Sequence, residues 1–223
     1  MRAVAYGESD VIATFLTAES GRLAAIVRGA RKGTKRVGGA LEPFHTIEVT
    51  LADKGGDLTT LKEARITRVR SGIVSNLEAL DAAGSALRWA RHLCPPRIKE
   101  PAAWDTMIEL LDRLDAAPGS ARPLLAVGAL RLLASVGYGL ELDQCVRCGK
   151  PCPDGRAACI DPERGGIVCV ECGGARLRIG AELRTLAQDA QRGGDPELSL
   201  DQANELLSLV AIAMSAHTEM RSQ

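Results

Sequence analysis

Aromatic side chains are scarce in this chain: two each of tryptophan, tyrosine and phenylalanine among 223 residues. The first 70 residues hold only Tyr6, Phe15 and Phe44. That scarcity argues against a broad stacking platform, by which sequence-tolerant single-strand binders hold bases against rings. No apolar run approaches the roughly 20 residues needed to span a bilayer, and the N-terminus lacks the basic, apolar, small-residue order of a secretory signal. A cytoplasmic protein with no membrane contact is the expectation. The chain has no Gly-x-x-x-x-Gly-Lys-Ser/Thr, no Gly-x-Gly-x-x-Gly and no Gly-x-Ser-x-Gly elbow. His45, His92 and His217 stand far apart, in no metal-protease spacing. Glu8 and Asp10 could form a carboxylate pair, but no other acidic motif accompanies them, which disfavours a nuclease. The chain is expected not to be an enzyme.

Charge of either sign is present in equal amount, 28 Lys/Arg against 28 Asp/Glu. Its distribution is uneven. Residues 1–70 carry twelve Lys/Arg against eight Asp/Glu, and the remainder carries sixteen against twenty. An anionic partner would therefore meet the front of the chain.

The first 70 residues read as β. Val11–Ala18, Leu23–Gly29, Phe44–Leu51 and Leu58–Val69 are short β-prone runs. Ile47, Val49 and Leu51 alternate with polar neighbours, as in a half-buried strand. Turn signals at Glu19-Ser20-Gly21, Gly38-Gly39 and 54–57 separate them. With a further strand upstream of Tyr6, five strands make an OB-type barrel. From Asn76 the period becomes helical. Leu77, Leu80, Ala83, Leu87 and Cys94 mark one face, with Pro95-Pro96 as a stop. Trp104, Ile108, Leu111 and Leu114 mark a second. Leu124–Val136 is apolar nearly all round and should be the buried centre of the body. Two further helices follow the cysteine-bearing stretch, with Leu183, Leu186 and Ala190 inward on the first and Ala203, Leu207, Val210 and Met214 on the second. The fold class is α+β: a barrel over 1–72, a helical domain over 73–223, and a zinc-ribbon-like four-cysteine insert over 143–178 within the latter.

Seven cysteines is an odd count, and four of them form two C-x-x-C pairs, Cys145/Cys148 and Cys169/Cys172, with twenty residues between the pairs. In a reducing compartment this pattern means metal more often than disulfide. Two intervening residues let a tight turn aim both sulfurs at one ion, and Gly149 and Gly173 follow the pairs directly. Two such knuckles close a tetrahedral thiolate shell of the kind that holds structural Zn²⁺. Four thiolates leave no coordination position for water, so the expected zinc is a fold staple, one per chain. The other reading is four buried or redox-active thiols. Cys152 and Cys159 lie inside the insert and could substitute as ligands. Cys94 belongs to an apolar helix face.

Arg22, Arg28, Arg31, Lys32, Lys35 and Arg36 fall within 15 residues, with no acid between Ser20 and Leu41. A Gly-rich basic segment leaving a barrel strand fits phosphate contact; a solvated surface loop fits the same composition. Lys62, Arg68 and Arg70 share a parity on the last strand and would extend the same basic face. With so few rings, binding should rest on phosphates, ignore sequence and weaken with salt.

Three stretches carry a family resemblance. They are Tyr6-Gly-Glu-Ser-Asp-Val11 with the segment 15–22, the segment from Val27 through the basic loop to Phe44, and the run Leu130–Gly149, which leads from the central helix into the first knuckle. In order and spacing the chain resembles the RecO family of bacterial DNA repair and recombination proteins. The resemblance implies an N-terminal OB fold, a C-terminal helical domain and a zinc-binding insert. It implies binding of single- and double-stranded DNA, annealing of complementary strands, and help in loading RecA onto DNA coated by single-stranded-DNA-binding protein. It also implies partnership with RecR, in some lineages with RecF, and a groove on the helical domain for the coating protein's C-terminal tail. Family members begin several residues earlier, so a shortened first strand is expected. A rival reading is a zinc-stapled protein-interaction adaptor whose DNA contact is incidental.

Overall fold

The computed structural model describes residues 2–30, 38–52 and 58–220, with the backbone alone at 217–220. Five strands come first: β1 (Arg2–Tyr6), β2 (Asp10–Thr17), β3 (Gly21–Val27), β4 (Thr46–Ala52) and β5 (Thr59–Arg68). They form one sheet in the order β1-β2-β3-β5-β4. All neighbours are antiparallel except β3 and β5, which run parallel from Ala25 opposite Thr59. This is the strand order of an OB barrel. Among the described residues no ladder joins β1 to β4, so the barrel is open along that seam.

The sheet rolls around a small core of Ala13, Phe15, Ala25, Val27 and Leu61. Period-2 alternation puts Ile12, Thr14, Arg22 and Ile26 on the opposite face of β2 and β3. β5 breaks that alternation twice. Thr50 and Leu51 oppose Glu63 and Leu61, and Thr46 and Ile47 oppose Arg68 and Ile66. Lys62 and Thr67 are thus the extra residues of two bulges, and each bulge resets which side chains face out.

The rest of the chain is helical: α1 (Ser71–Val74), α2 (Leu77–Leu93), α3 (Pro101–Ala116), α4 (Ala121–Ser135), α5 (Ala181–Gln191) and α6 (Leu200–Met220). As its composition implies, α4 is the centre, buried at Leu124, Leu125, Ala126, Val127, Ala129, Leu130, Leu132 and Leu133. It packs against α2, α3, α5 and α6. A Cβ on Gly128 would stand 2.7 Å from Leu110 Cδ2, so glycine sets how closely α3 lies on α4. The inward face of α2 differs from the expected stripe. Leu77 is 81% exposed, and alanines 79, 82, 83, 86 and 90 carry the contact with Leu87 and Leu93. Asn76 caps the helix by accepting from the Ala79 amide at 3.0 Å, which leaves Leu77 in the first turn facing solvent. On α3, Trp104 and Ile108 are only half buried, and the deep stripe is Ala103, Met107, Leu110, Leu111 and Leu114. No described helix is long and apolar enough to cross a membrane.

Two clamps lock the barrel to this body. Arg70, just past β5, is wholly buried. Its Nε donates to Asp112 Oδ1 on α3 at 2.8 Å, and its Nη1 donates to Phe44 O and Thr46 Oγ1 at 2.9 Å each. Arg70 Nη2 and Arg68 Nε reach the same carboxylate oxygen at 2.6 and 2.9 Å. At the other clamp, Arg22 Nε donates to Cys94 O and the Arg97 amide donates to Arg22 O, both at 2.9 Å. There Gly21 holds a φ of +62°, and a Cβ on it would lie 1.7 Å from Ile98 O. No other residue fits that approach without backbone movement.

Removing one partner of a buried ion pair leaves the other charge stranded. Asp112→Ala should therefore cost about 3 kcal/mol in urea unfolding. Arg65→Ala breaks only the exposed pair with Glu48 and should cost less than about 0.5 kcal/mol. Gly21→Ala should lower the unfolding midpoint as clearly as Asp112→Ala.

Candidate metal centre and cationic surface

The two cysteine knuckles are far apart in sequence, and a small sheet brings them together. Its strands β6 (Ala158–Asp161), β7 (Gly166–Ile167) and β8 (Leu177–Ile179) run in the order β7-β6-β8. The chain ahead of the first knuckle pairs with β7: the Ile167 amide donates to Glu141 O and the Val146 amide to Ile167 O, both at 2.9 Å. Gly166 is needed there, because a Cβ would meet Glu141 O at 2.3 Å. Cys169 follows two residues after β7, so the second knuckle lands beside the first.

Each knuckle is a turn of backbone closed on its own cysteine. The Gly149 amide donates to Cys145 O at 2.9 Å, and the Gly174 amide donates to Cys169 O at 3.0 Å. Gly149 and Gly173 adopt φ of +72° and +97°, which is why glycine follows each pair. The Arg147 guanidinium crosses to Cys172 O at 2.7 Å, and the Lys150 ammonium pairs with the Glu171 carboxylate.

The sulfurs of Cys145, Cys148, Cys169 and Cys172 all lie within 4.8 Å of one another. Cys148 Sγ and Cys169 Sγ are 3.7 Å apart. A tetrahedron with bonds of about 2.3 Å has an edge of about 3.8 Å, so the spacing and the soft donor set fit one metal ion. Cys152 and Cys159 stand outside this cluster. The Cys169 amide donates to Cys145 Sγ at 3.3 Å. That bond, with help from the amides of Arg147 and Cys148 and against the effect of burial, pulls the Cys145 thiol down to about 6. Hydrogen bonds shared with the Cys148 and Cys169 sulfurs, then burial, push Cys172 up to about 12.

The insert is rooted from behind by a residue the periodicity did not single out. Arg184 on α5 is wholly buried. It donates to Leu142 O at 2.9 Å, Cys152 O at 3.2 Å and Pro153 O at 2.6 Å. One turn on, Gln188 Nε2 donates to Leu142 O at 3.1 Å and Asp143 Oδ1 at 2.8 Å. Gln191 both accepts from the Leu140 amide at 2.7 Å and donates to its carbonyl at 3.0 Å. Arg184, Gln188 and Gln191 stand at i, i+4 and i+7, so the sequence did carry the signal as a polar stripe flanking the apolar one.

The barrel's cations divide into two groups. Arg28 and Lys62 are exposed. Arg31, Lys32, Lys35 and Arg36 lie outside the described residues. Arg22 and Arg68 are engaged within the fold, at the Cys94 carbonyl and the Asp112 carboxylate. The shared face expected of Lys62, Arg68 and Arg70 does not form. The bulges at Lys62 and Thr67 reset the parity, and Arg70 turns into the interior. Of the histidines, His45 Nδ1 accepts from the Arg70 amide at 3.2 Å. His92 lies at the end of α2, and the side chain of His217 is outside the described residues.

A five-stranded OB barrel clamped to a helical body with a four-cysteine cluster defines the class, and comparison with known proteins makes that class a recombination protein. The model for the recombination protein O N-terminal region matches residues 1–70, and that for its C-terminal region matches residues 74–221. Similar curated proteins include the DNA repair protein RecO of Anaeromyxobacter sp. (strain K), 37% identical over 77% of this chain and 67% of the relative. That of Desulfatibacillum aliphaticivorans is 33% identical over 93% and 86%, and that of Geobacter sulfurreducens is 35% identical over 80% and 70%. The chain belongs to the RecO family of DNA repair proteins.

Metal ligation requires thiolates, so protons compete with the ion. Cys145, drawn down to about 6, gives up its proton more readily than Cys172, pushed up to about 12. Metal uptake should expel about one proton or more per ion at pH 7, read by calorimetry in buffers of different ionisation enthalpy. Affinity should rise with pH, and should fall more steeply below pH 6 as Cys145 also protonates. Cys148→Ser should lower affinity sharply, whereas Cys159→Ser should not.

Proposed function

We propose that this chain is a non-catalytic mediator of DNA repair. It binds single- and double-stranded DNA through the cations of the barrel, anneals complementary strands and, with RecR and in some settings RecF, helps load RecA onto DNA coated by single-stranded-DNA-binding protein. The tail of that coating protein docks on the helical body. The ion at the four cysteines is Zn²⁺, favoured by soft thiolate donors in a tetrahedral set, and it acts as a staple. Cys145, Cys148, Cys169 and Cys172 hold it and supply no open position for a reacting water.

Annealing has a simple barrier, the repulsion between two polyanions. A basic surface that holds one strand lowers the charge its complement meets, provided the bases stay free to pair. The observation that carries this reading is a cationic, ring-poor barrel in a chain of the RecO family. Phe15 and Phe44 are buried, and Tyr6 is the exposed aromatic of the barrel. Arg28, Arg31, Lys32, Lys35, Arg36 and Lys62 would grip phosphate without sequestering bases.

The commitment of Arg22 and Arg68 within the fold favours one alternative, an adaptor with only incidental DNA contact. Binding to naked oligonucleotide near physiological salt separates the two. Each phosphate contact contributes about 0.7–0.9 to the slope of log affinity against log salt. The variant Arg31→Ala, Lys32→Ala, Lys35→Ala, Arg36→Ala should flatten that slope by about 3 and slow annealing of complementary oligonucleotides. An unchanged slope removes the loop as the DNA site.

A further inference from the structure

On the outer side of the sheet, β1 and β2 meet the C-terminal end of α2 in a cleft of about 640 Å³. Arg2, Val4, Ile12 and Thr14 form one wall, Arg91, His92, Pro95 and Pro96 form the other, and Arg22 also lines it. No acid lines it. Neither Arg2 nor Arg91 has a carboxylate partner among the described residues. Arg22 is held in place because its Nε is fixed on the Cys94 carbonyl at 2.9 Å. Arg91 Nη2 lies 3.2 Å from His92 Nε2. A guanidinium cannot accept a hydrogen bond, so the bare imidazole nitrogen accepts and steadies Arg91.

The cleft therefore gathers three arginines, and among the described residues no carboxylate lines it. His92 registers it: burial, then the charges of Arg91 and Arg22, hold its pKa below the usual histidine value. Cations in the last turn of a helix also complement its dipole. Here Arg22 already supplies a donor to the terminal carbonyl of Cys94, which leaves the Arg91 charge for a ligand.

We propose that this cleft is a second phosphate-binding station for a single nucleic-acid strand, with Arg2 and Arg91 as the contacting groups. The inference rests on the DNA-binding reading above and deepens it, since it carries the strand's path from the barrel onto the helical body. Continuity selects a nucleic acid over an isolated anion. Arg22 stands near the start of β3, and Arg28 is exposed in the turn just past its end, about 20 Å further along. Each end of β3 thus has a cation beside it, and Val4, Ile12 and Ile26 stand in register across the strands between them. An apolar floor without rings suits a sugar-phosphate chain whose bases point away.

The test uses the full chain and a fluorescent single-stranded oligonucleotide over a salt series. Arg2→Ala with Arg91→Ala should flatten the salt slope by about 1.4, two single-strand contacts, and weaken binding about tenfold in dilute salt. Its urea midpoint should match that of the parent, and Arg2→Ala with Arg91→Lys should recover about half the lost slope. Combined with the four-alanine loop variant, the losses should add. If the parent binds and the double variant keeps both slope and affinity, the second station is wrong and the barrel reading stands. If the parent itself ignores the oligonucleotide in dilute buffer, the DNA reading fails and takes the station with it. If the double variant loses poly-glutamate but not the oligonucleotide, the cleft is a protein-docking surface and the proposal is overturned.

Discussion

The guanidinium of Arg70 has no surface of its own in contact with solvent, and among the described residues one carboxylate, Asp112, answers its charge. A buried cation of this kind costs several kcal/mol unless its partner is held in register. The two groups belong to different parts of the molecule, one just past the last barrel strand and the other on α3. The barrel core is small, five buried side chains among the described residues with a few half-buried neighbours. It gains definition by leaning on a body whose core is far larger. The second clamp, at Gly21, Arg22 and Cys94, fixes the opposite side, so barrel and body share one orientation set by charge and by the absence of a Cβ.

That arrangement changes what the basic front end is for. A count of cations in the first 70 residues treats each as a candidate for an external anion. In the folded chain Arg22, Arg65, Arg68 and Arg70 already have partners. Among the described barrel residues named for DNA, the exposed charges that remain are Arg28 and Lys62, together with the cleft beside α2. The four-cysteine cluster brings together two knuckles of a loop-rich insert in another part of the molecule, as the clamps bring together the barrel and the helical body.

Much of this was legible in the sequence. Alternating apolar residues and turn signals located the strands, because a rolled sheet with one buried face must write its period into the chain. The cysteine spacing announced the cluster, since two knuckles can meet only if turns and glycines stand where they do. The all-apolar run at 124–136 marked the central helix. What was hidden depended on tertiary contact. Nothing in a period-2 reading distinguishes Arg70, which turns inward, from Lys62, which stays outside; the bulges that separate them appear only when β4 is paired with β5. On α2 the expected stripe holds at Ala83, Leu87 and Cys94 and fails at Leu77, which stays exposed, while close packing against α4 selects alanine at 79, 82, 86 and 90. Arg184 went unnoticed because a charged residue on an amphipathic helix is ordinarily assigned to solvent.

The polar stripe of α5 has its own consequence. Arg184, Gln188 and Gln191 bond the main chain at Leu140, Leu142, Cys152 and Pro153 much as a neighbouring strand would, so a helix edge does the work of a sheet edge. The knuckles' base is thereby seated by contacts that involve no sulfur. Were the four sulfurs oxidised, these bonds would still tie the root of the insert to α5.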